Sequence, residues 1–313
     1  MELVINTIGR YVPARRLRLE DVDVDPPLAP RVLGAYRKFF GLERVAISDR
    51  PLGDMMVSAA TGALARHGVA ADAVDVLIHV HTAPQAWTHP VDLLPGICRR
   101  MGLRRAVYFA VHANHCASPL NAIQIGRQLL DESRRYALIV IADLTFTGIL
   151  RQIPNTTVCG DAVAACLVSG RGPGALMRSL EIDYHGAHAK GPWQSVEDHA
   201  RFERGYAPRL AGVMRRAIEH AGIDRRDLRW IFPHNVNLVS WRDVAARLNL
   251  RMDQVYTESL PQLGHCFGAD PFLNWSFELD SLHAGDHIMV ATVGLGAVFG
   301  AAVFRVLAGG GDE

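Results

Sequence analysis

The chain has almost no lysine. Of its 33 basic side chains only Lys38 and Lys190 carry a primary amine, which leaves Schiff-base catalysis almost no candidates. It also lacks an excess of either charge. The 33 basic and 32 acidic residues are well mixed and give a formal charge of +1, which argues against charge-driven binding to nucleic acid or a membrane surface. No run approaches the roughly 18 apolar residues that span a bilayer. The opening Met-Glu-Leu-Val-Ile-Asn-Thr has no basic region followed by an apolar stretch, so no signal peptide is expected. Cys98, Cys116, Cys159, Cys166 and Cys266 are odd in number and lack paired-ligand spacing. The expectation is a reduced, cytoplasmic enzyme.

At 313 residues the chain can bury a large core, in one large domain or two intimately joined halves. Apolar strand-like runs occur at Glu2–Ile8, Val74–Val80, Ala106–Val111, Ala137–Ala142, Val163–Val168, Trp230–Phe232, His287–Val293 and Ala297–Val306. Helical patterns lie between them at Gly53–His67, Leu93–Met101, Ala117–Glu132, Ala200–Ala221, Val239–Leu248 and Pro271–Leu282. This alternation predicts an α/β fold with buried sheets. Gly170-Arg-Gly-Pro-Gly174 punctuates the middle and divides the chain into halves 1–170 and 171–313.

The most informative residue is Cys116. The apolar run Ala106–Val111 leads into a polar turn, His112-Ala-Asn-His-Cys116, and a helix is expected to open at about the cysteine. A thiol there sits near unpaired N–H groups and the positive end of a helix dipole, and both favour thiolate. Two later segments, Phe232-Pro-His-Asn-Val-Asn237 and Leu263-Gly-His-Cys-Phe-Gly-Ala-Asp-Pro-Phe272, can supply imidazoles. A strand-to-helix cysteine followed by two histidines reads as covalent acyl chemistry.

An internal repeat supports two halves. Gly68–Ile78 matches Gly222–Phe232 in pattern. His115-Cys116 recurs as His265-Cys266, and Ala137–Ile141 as His287–Ala291, each 150 residues later. Duplication would bring two helix starts together near a pseudo-twofold axis, facing one site.

These segments together resemble the thiolase-fold condensing enzymes, and specifically the ketoacyl-ACP synthase III group. The resemblance rests on Ile8-Gly-Arg-Tyr-Val-Pro13, the cysteine at a helix start, Cys159-Gly-Asp-Ala-Val-Ala164, Pro233-His-Asn-Val-Asn237 and Val293-Gly-Leu-Gly-Ala-Val-Phe-Gly300, in that order. It implies two pseudo-symmetric βαβαβαββ halves in a five-layered α-β-α-β-α architecture, and a homodimer paired through the strand before the cysteine. It implies that Cys116 takes an acyl group from a coenzyme A or acyl carrier protein thioester, with no bound cofactor. His234 would stand beside it as hydrogen-bond donor or general base. The N–H groups of Cys116 and of the 294–297 loop, Leu295 included, would form the oxyanion hole, where a donor typically contributes about 3–4 kcal/mol.

The departures from that pattern shift the expected chemistry. Gly264-His265-Cys266-Phe267 stands where the family has Gly-Asn-Thr-Ser, so His265 replaces the Asn that helps stabilise the enolate from malonyl thioester. A Cys-His-His set is compatible with decarboxylative condensation. A neutral His265 is equally able to deprotonate an alcohol or amine, giving an ester or amide in specialised metabolism. Phe39-Phe40-Gly41-Leu42 stands where the family's Arg-Thr-Gly-Ile helps hold coenzyme A, and Val239 replaces a basic residue. Arg242 and Arg247 remain as candidates for meeting a carrier protein, as do the pairs Arg134-Arg135, Arg215-Arg216 and Arg225-Arg226, whose other reading is a solvated helix face.

Several residues have two readings. His265 is either catalytic or a satisfied structural histidine. Asp270 either orients an imidazole or caps a helix start. His112, His115 and Cys116 do not make a standard tetrahedral zinc set, so no metal is expected. Asp161 is expected to hold a turn, and Trp87, Trp193 and Trp241 either line an acyl tunnel or pack. An inactive subunit supporting a catalytic partner is the competing non-enzymatic reading.

Overall fold

Runs rich in Val, Ile, Leu and Ala on both faces cannot lie on a surface, and they form the middle of one nine-stranded sheet. The computed structural model describes residues 2–82, 92–191 and 194–308. The main strands are β1 (Val4–Tyr11), β2 (Val74–Val80), β3 (Val107–Val111), β4 (Tyr136–Ala142), β5 (Val163–Ser169), β6 (Ala175–Tyr184), β7 (Leu228–Pro233), β8 (His287–Gly294) and β9 (Val298–Val306). Their order across the sheet is β7-β8-β9-β6-β1-β5-β4-β2-β3. The two sides meet where β1 pairs with β6 at only Val4–Leu176 and Ile5–Ala175.

The principal helices are α1 (Leu52–His67), α2 (Leu93–Met101), α3 (Ser118–Leu129), α4 (Val196–Ala221), α5 (Leu238–Leu248) and α6 (Asp270–Phe277). Helix α1 covers β1, β5 and β4 from outside, with α2 against it. Helix α4 covers β6, β9 and β8 on the other side, with α5 against it. Helices α3 and α6 lie between the two sheet halves and touch strands of both. Five layers, α-β-α-β-α, result. From Asp270 to Ser276 every residue of α6 is buried, as a helix enclosed on all sides requires.

The order βαβαβαββ holds from β1 to β5. After β6 the pattern returns, but the strand that would flank β7 is reduced to a single parallel bridge between Ile231 and Val255. Strand β6 is absent from the expected elements, because Arg178, Glu181 and Asp183 interrupt its apolar pattern. Helix α4 begins four residues earlier than expected, since Ser195 caps it by accepting the Asp198 N–H at 3.1 Å. Helix α6 stops at Phe277 rather than continuing to Leu282.

The structure also revises the internal repeat. The turn His115–Ala117 precedes α3, with φ of 49° at His115 and Pro119 in the first helical turn. The turn Phe267–Ala269 precedes α6, with φ of 54° at Phe267 and Pro271 in the same place. The counterpart of Cys116 is therefore Gly268, and the recurrence of His-Cys 150 residues on is coincidental.

One close approach sets the packing of β1. A Cβ on Gly9 would lie 2.1 Å from the Ala59 carbonyl oxygen and 2.4 Å from the Ala63 nitrogen of α1. Overpacking of this kind typically costs about 1–3 kcal/mol. Gly9→Ala is expected to lower the urea midpoint with an unchanged slope, and an unchanged midpoint would contradict this packing.

Candidate active site

Cys116 sits in the turn between β3 and α3 and is buried. Its sulfur lies 3.5 Å from His265 Nε2 and accepts a long contact, 3.9 Å, from Thr82 Oγ1. Thr292 Oγ1 donates to the Cys116 carbonyl at 3.0 Å, and Cys159, Phe267 and Ile153 pack against the thiol.

His265 is held by its backbone before its ring is considered. Its N–H donates to the Val158 carbonyl at 2.9 Å and its carbonyl accepts the Gly160 N–H at 2.9 Å. On the ring, Nδ1 donates to Asp270 Oδ2 at 2.5 Å while Nε2 faces the Cys116 sulfur. Asp270 also accepts the Asn235 N–H at 2.6 Å and the Cys266 N–H at 2.7 Å. Asp270 therefore bonds the imidazole and holds the turn ahead of α6, but it does not cap that helix, whose N-cap is Ala269.

Burial alone would disfavour charge on His265. The Asp270 carboxylate, then the Cys116 sulfur, outweigh it and push the ring up to about 10. This shift favours the protonated ring before Cys116 carries an acyl group. His234 is the reverse case. Burial and then the neighbouring His265 push it down to about 3, against a weaker opposing contribution from the Ala291 carbonyl.

His234 directly follows β7, and its ring centroid lies 6.4 Å from that of His265. Its Nδ1 faces the Ala291 carbonyl oxygen at 3.4 Å and its Nε2 bonds the Tyr206 hydroxyl at 2.6 Å. Trp241 Nε1 donates to the His234 carbonyl at 3.0 Å, so this tryptophan packs beneath the site. Trp87 and Trp193 lie outside the described residues.

The glycine loop meets the cysteine turn directly. A Cβ on Gly294 would be 2.0 Å from the Asn114 carbonyl oxygen and 3.2 Å from the Ala117 nitrogen. Leu295 follows, half-buried, then Gly296 and Ala297 with φ of 98° and 139°. Only glycine permits the 294 backbone to come so near Cys116.

Other candidates fall elsewhere. The His112 ring stacks on His81 with centroids 5.0 Å apart, and His115 is half-buried, lowered by burial and then by His112. Among the described residues no cluster of His, Cys, Asp or Glu could hold a metal ion. Asp161 accepts the Ser48 and Thr145 N–H groups and pairs with buried Arg151 at 2.9 Å, tying three segments rather than one turn. Arg216, Arg226 and Arg247 pair with Asp183, Asp224 and Asp243 of their own chain. Sequence reasoning missed Tyr206, Thr82 and Thr292. Nothing local marks them, and Tyr206 is one aromatic among the apolar positions of α4.

The 3-oxoacyl-[acyl-carrier-protein] synthase III C-terminal family model matches residues 218–306. The beta-ketoacyl-[acyl-carrier-protein] synthase III of Rhodospirillum centenum is 27% identical, over 96% of this chain and 98% of the relative. The chain is thus similar over nearly its whole length to ketoacyl-ACP synthase III proteins, and its C-terminal part matches their family model. A solved 3-oxoacyl-[acyl-carrier-protein] synthase III from Aquifex aeolicus aligns with a TM-score of 0.82 at 18% identity, over 97% of this chain and 99% of that one. ChlB3, described as an acyltransferase, aligns with a TM-score of 0.81 at 19% identity over 99% of both chains. At this level of identity the fold is shared.

The two histidines make opposite contributions to stability. Unfolded, each titrates near 6.5. His265 binds its proton more tightly when folded, so its contribution is complete below pH 6.5 and is lost as pH rises through about 10. His234 refuses its proton when folded, so its contribution is present above pH 6.5 and is lost as pH falls towards about 3. The limiting slope is about 1.4 kcal/mol per pH unit for one proton. His234→Gln should therefore lose stability less steeply than the parent over the acidic window, measured by urea unfolding at successive pH values. Equal slopes would contradict a neutral, buried His234.

Proposed function

We propose that the protein is an acyltransferase that takes an acyl group from an acyl carrier protein or coenzyme A thioester onto Cys116. It then passes the group to an alcohol or amine acceptor in the biosynthesis of a specialised metabolite. The observation that carries this reading is the buried line Cys116 Sγ–His265–Asp270. It is the arrangement of an activated nucleophile, a base and an orienting carboxylate.

In this reading the Cys116 thiolate, paired with the His265 imidazolium, attacks the thioester carbonyl carbon. The N–H groups of Cys116 and Leu295 hold the oxyanion. As the carbon–sulfur bond of the donor breaks, the departing thiolate takes the His265 proton and leaves as a thiol. His265 is now neutral, with its Nδ1 proton still directed at Asp270. It takes the proton of the incoming hydroxyl or amine while that oxygen or nitrogen bonds the acyl carbon. Cys116 departs as thiolate beside a renewed imidazolium. The proton is conserved through the cycle, and no cofactor is required.

Decarboxylative condensation is the second reading, favoured by the names of the curated relatives, which are beta-ketoacyl-[acyl-carrier-protein] synthases. Intact mass after exposure to acyl-coenzyme A and acyl carrier protein donors is the first test. An acyl adduct is expected on the parent and on Cys266→Ala, whose thiol is buried against the Leu263 carbonyl. No adduct is expected on Cys116→Ala. Asp270→Asn should slow acylation by roughly 10²-fold, at the low end of general acid–base contributions. No adduct from any donor would favour an inactive subunit, and brisk CO2 release from malonyl carrier protein would favour condensation.

We further propose a homodimer paired through β3. Among the described residues this strand lies at one edge of the sheet, and its Val107 and Tyr108 are 47% and 46% exposed in the single chain, not buried as their apolar character demands. An apolar edge with unpaired backbone groups is completed by a partner strand. Light scattering is expected to give twice the 34.3 kDa of one chain, with a shift towards monomer in Tyr108→Lys. A monomeric parent would contradict the pairing.

A further inference from the structure

His234 and Tyr206 bond each other, and the direction of that bond decides what the second imidazole can offer a substrate. His234 is buried, and its Nδ1 faces the Ala291 carbonyl oxygen at 3.4 Å. A carbonyl oxygen only accepts, so the ring proton belongs on Nδ1. The alternative tautomer would set two lone pairs against each other. With the proton on Nδ1, Nε2 is an acceptor, and the Tyr206 hydroxyl at 2.6 Å must donate to it. Both ring nitrogens are then committed. The phenol ring is fixed in turn by edge contacts with Phe202 and Phe299, at centroid distances of 5.9 and 6.1 Å.

We propose that Tyr206 is a positioning residue that locks His234 as a hydrogen-bond acceptor at Nε2, and thereby biases the site against decarboxylating malonyl donors. When a malonyl thioester loses CO2, the carbon–carbon bond breaks and its electron pair passes to the thioester oxygen as an enolate. That oxygen needs N–H donors aimed at it. His234 offers none while Tyr206 holds its Nε2, and the Nε2 of His265 faces the Cys116 sulfur. Heteroatom acceptors form no enolate and lose nothing by this arrangement. Burial, and then the proximity of Cys116, push the Tyr206 phenol upward, so its proton is retained for the bond.

The consequence for donor choice rests on the acyltransferase reading; the tautomer does not. The full-length protein labelled with 15N-histidine is compared with Tyr206→Phe, which keeps the ring and removes the hydroxyl, using His234→Gln to assign the resonances. In the parent we expect a proton on Nδ1 and a bonded lone pair on Nε2. In Tyr206→Phe no hydroxyl donates to Nε2 and only the long 3.4 Å contact to Ala291 holds the Nδ1 proton, so the Nε2 resonance should move as part of the population carries its proton on Nε2. A parent ring protonated on Nε2, which needs no variant to detect, overturns the proposal, as does an Nε2 resonance that Tyr206→Phe leaves unmoved. Malonyl-coenzyme A is the functional probe. CO2 release should rise about tenfold in Tyr206→Phe, part of the roughly 10²–10³ that one oxyanion donor supplies. A rate unchanged or lowered overturns the bias. Failure of the acyltransferase reading registers separately, as absence of an acyl adduct on the parent with the His234 tautomer still as assigned.

Discussion

Everything around the site depends on one buried carboxylate. Asp270 has no exposure to solvent, and an ionised carboxylate taken out of water must be met by donors or abandon its charge. Its three donors come from three places: the His265 ring, the Asn235 backbone and the Cys266 backbone. The charge therefore fixes the end of β7, the turn before α6 and the orientation of the imidazole together. It also sets the protonation of His265, because burial alone would leave that ring neutral.

The polar groups next to Asp270 are satisfied in the same way. Asn274 donates to the Pro233 carbonyl at 2.8 Å and to Asn235 Oδ1 at 2.9 Å, and it accepts from the Ser259 hydroxyl. Asn235 donates in turn to Ser259 at 3.1 Å. A fully paired network in a low-dielectric interior is rigid, since any displacement leaves a donor or acceptor unmet. That rigidity supports a catalytic reading of His265, whose ring would otherwise have to be positioned by packing against Phe267 alone.

Much of this was legible in the sequence, and the limits are physical. Buried strands such as β4 and β5 declare themselves, because a strand covered on both faces is apolar along nearly all its length. Strand β6 does not, since its charged residues find partners on α4, as Glu181 and Asp183 do with Arg216. Cys116, His234 and His265 stood in recognisable segments. Asp270 could be seen as a helix-start acid, but not that it would bond the imidazole and a backbone N–H at once. Tyr206 is 28 residues from His234, and only the packing of α4 against the sheet brings the two together. The upward shift of His265 was hidden for a related reason, since it depends on Asp270 folding back onto the ring and on Cys116, which is distant in sequence.

The two halves are related in order of elements and unlike in what they place at the centre. Cys116 opens α3, whereas its counterpart Gly268 opens α6, and the reason is steric. A Cβ on Gly268 would lie 2.9 Å from Pro119 Cγ and 3.3 Å from the Cys116 carbonyl oxygen. The helix starts approach so closely that the Pro119 ring and the Cys116 carbonyl leave no room for a side chain at 268. The half that gives up the side chain supplies the carboxylate two residues later, and the half that keeps it supplies the thiol. A repeated architecture thus yields one asymmetric site, in which the Asp270 carboxylate meets the His265 ring and that ring faces a sulfur belonging to the other half.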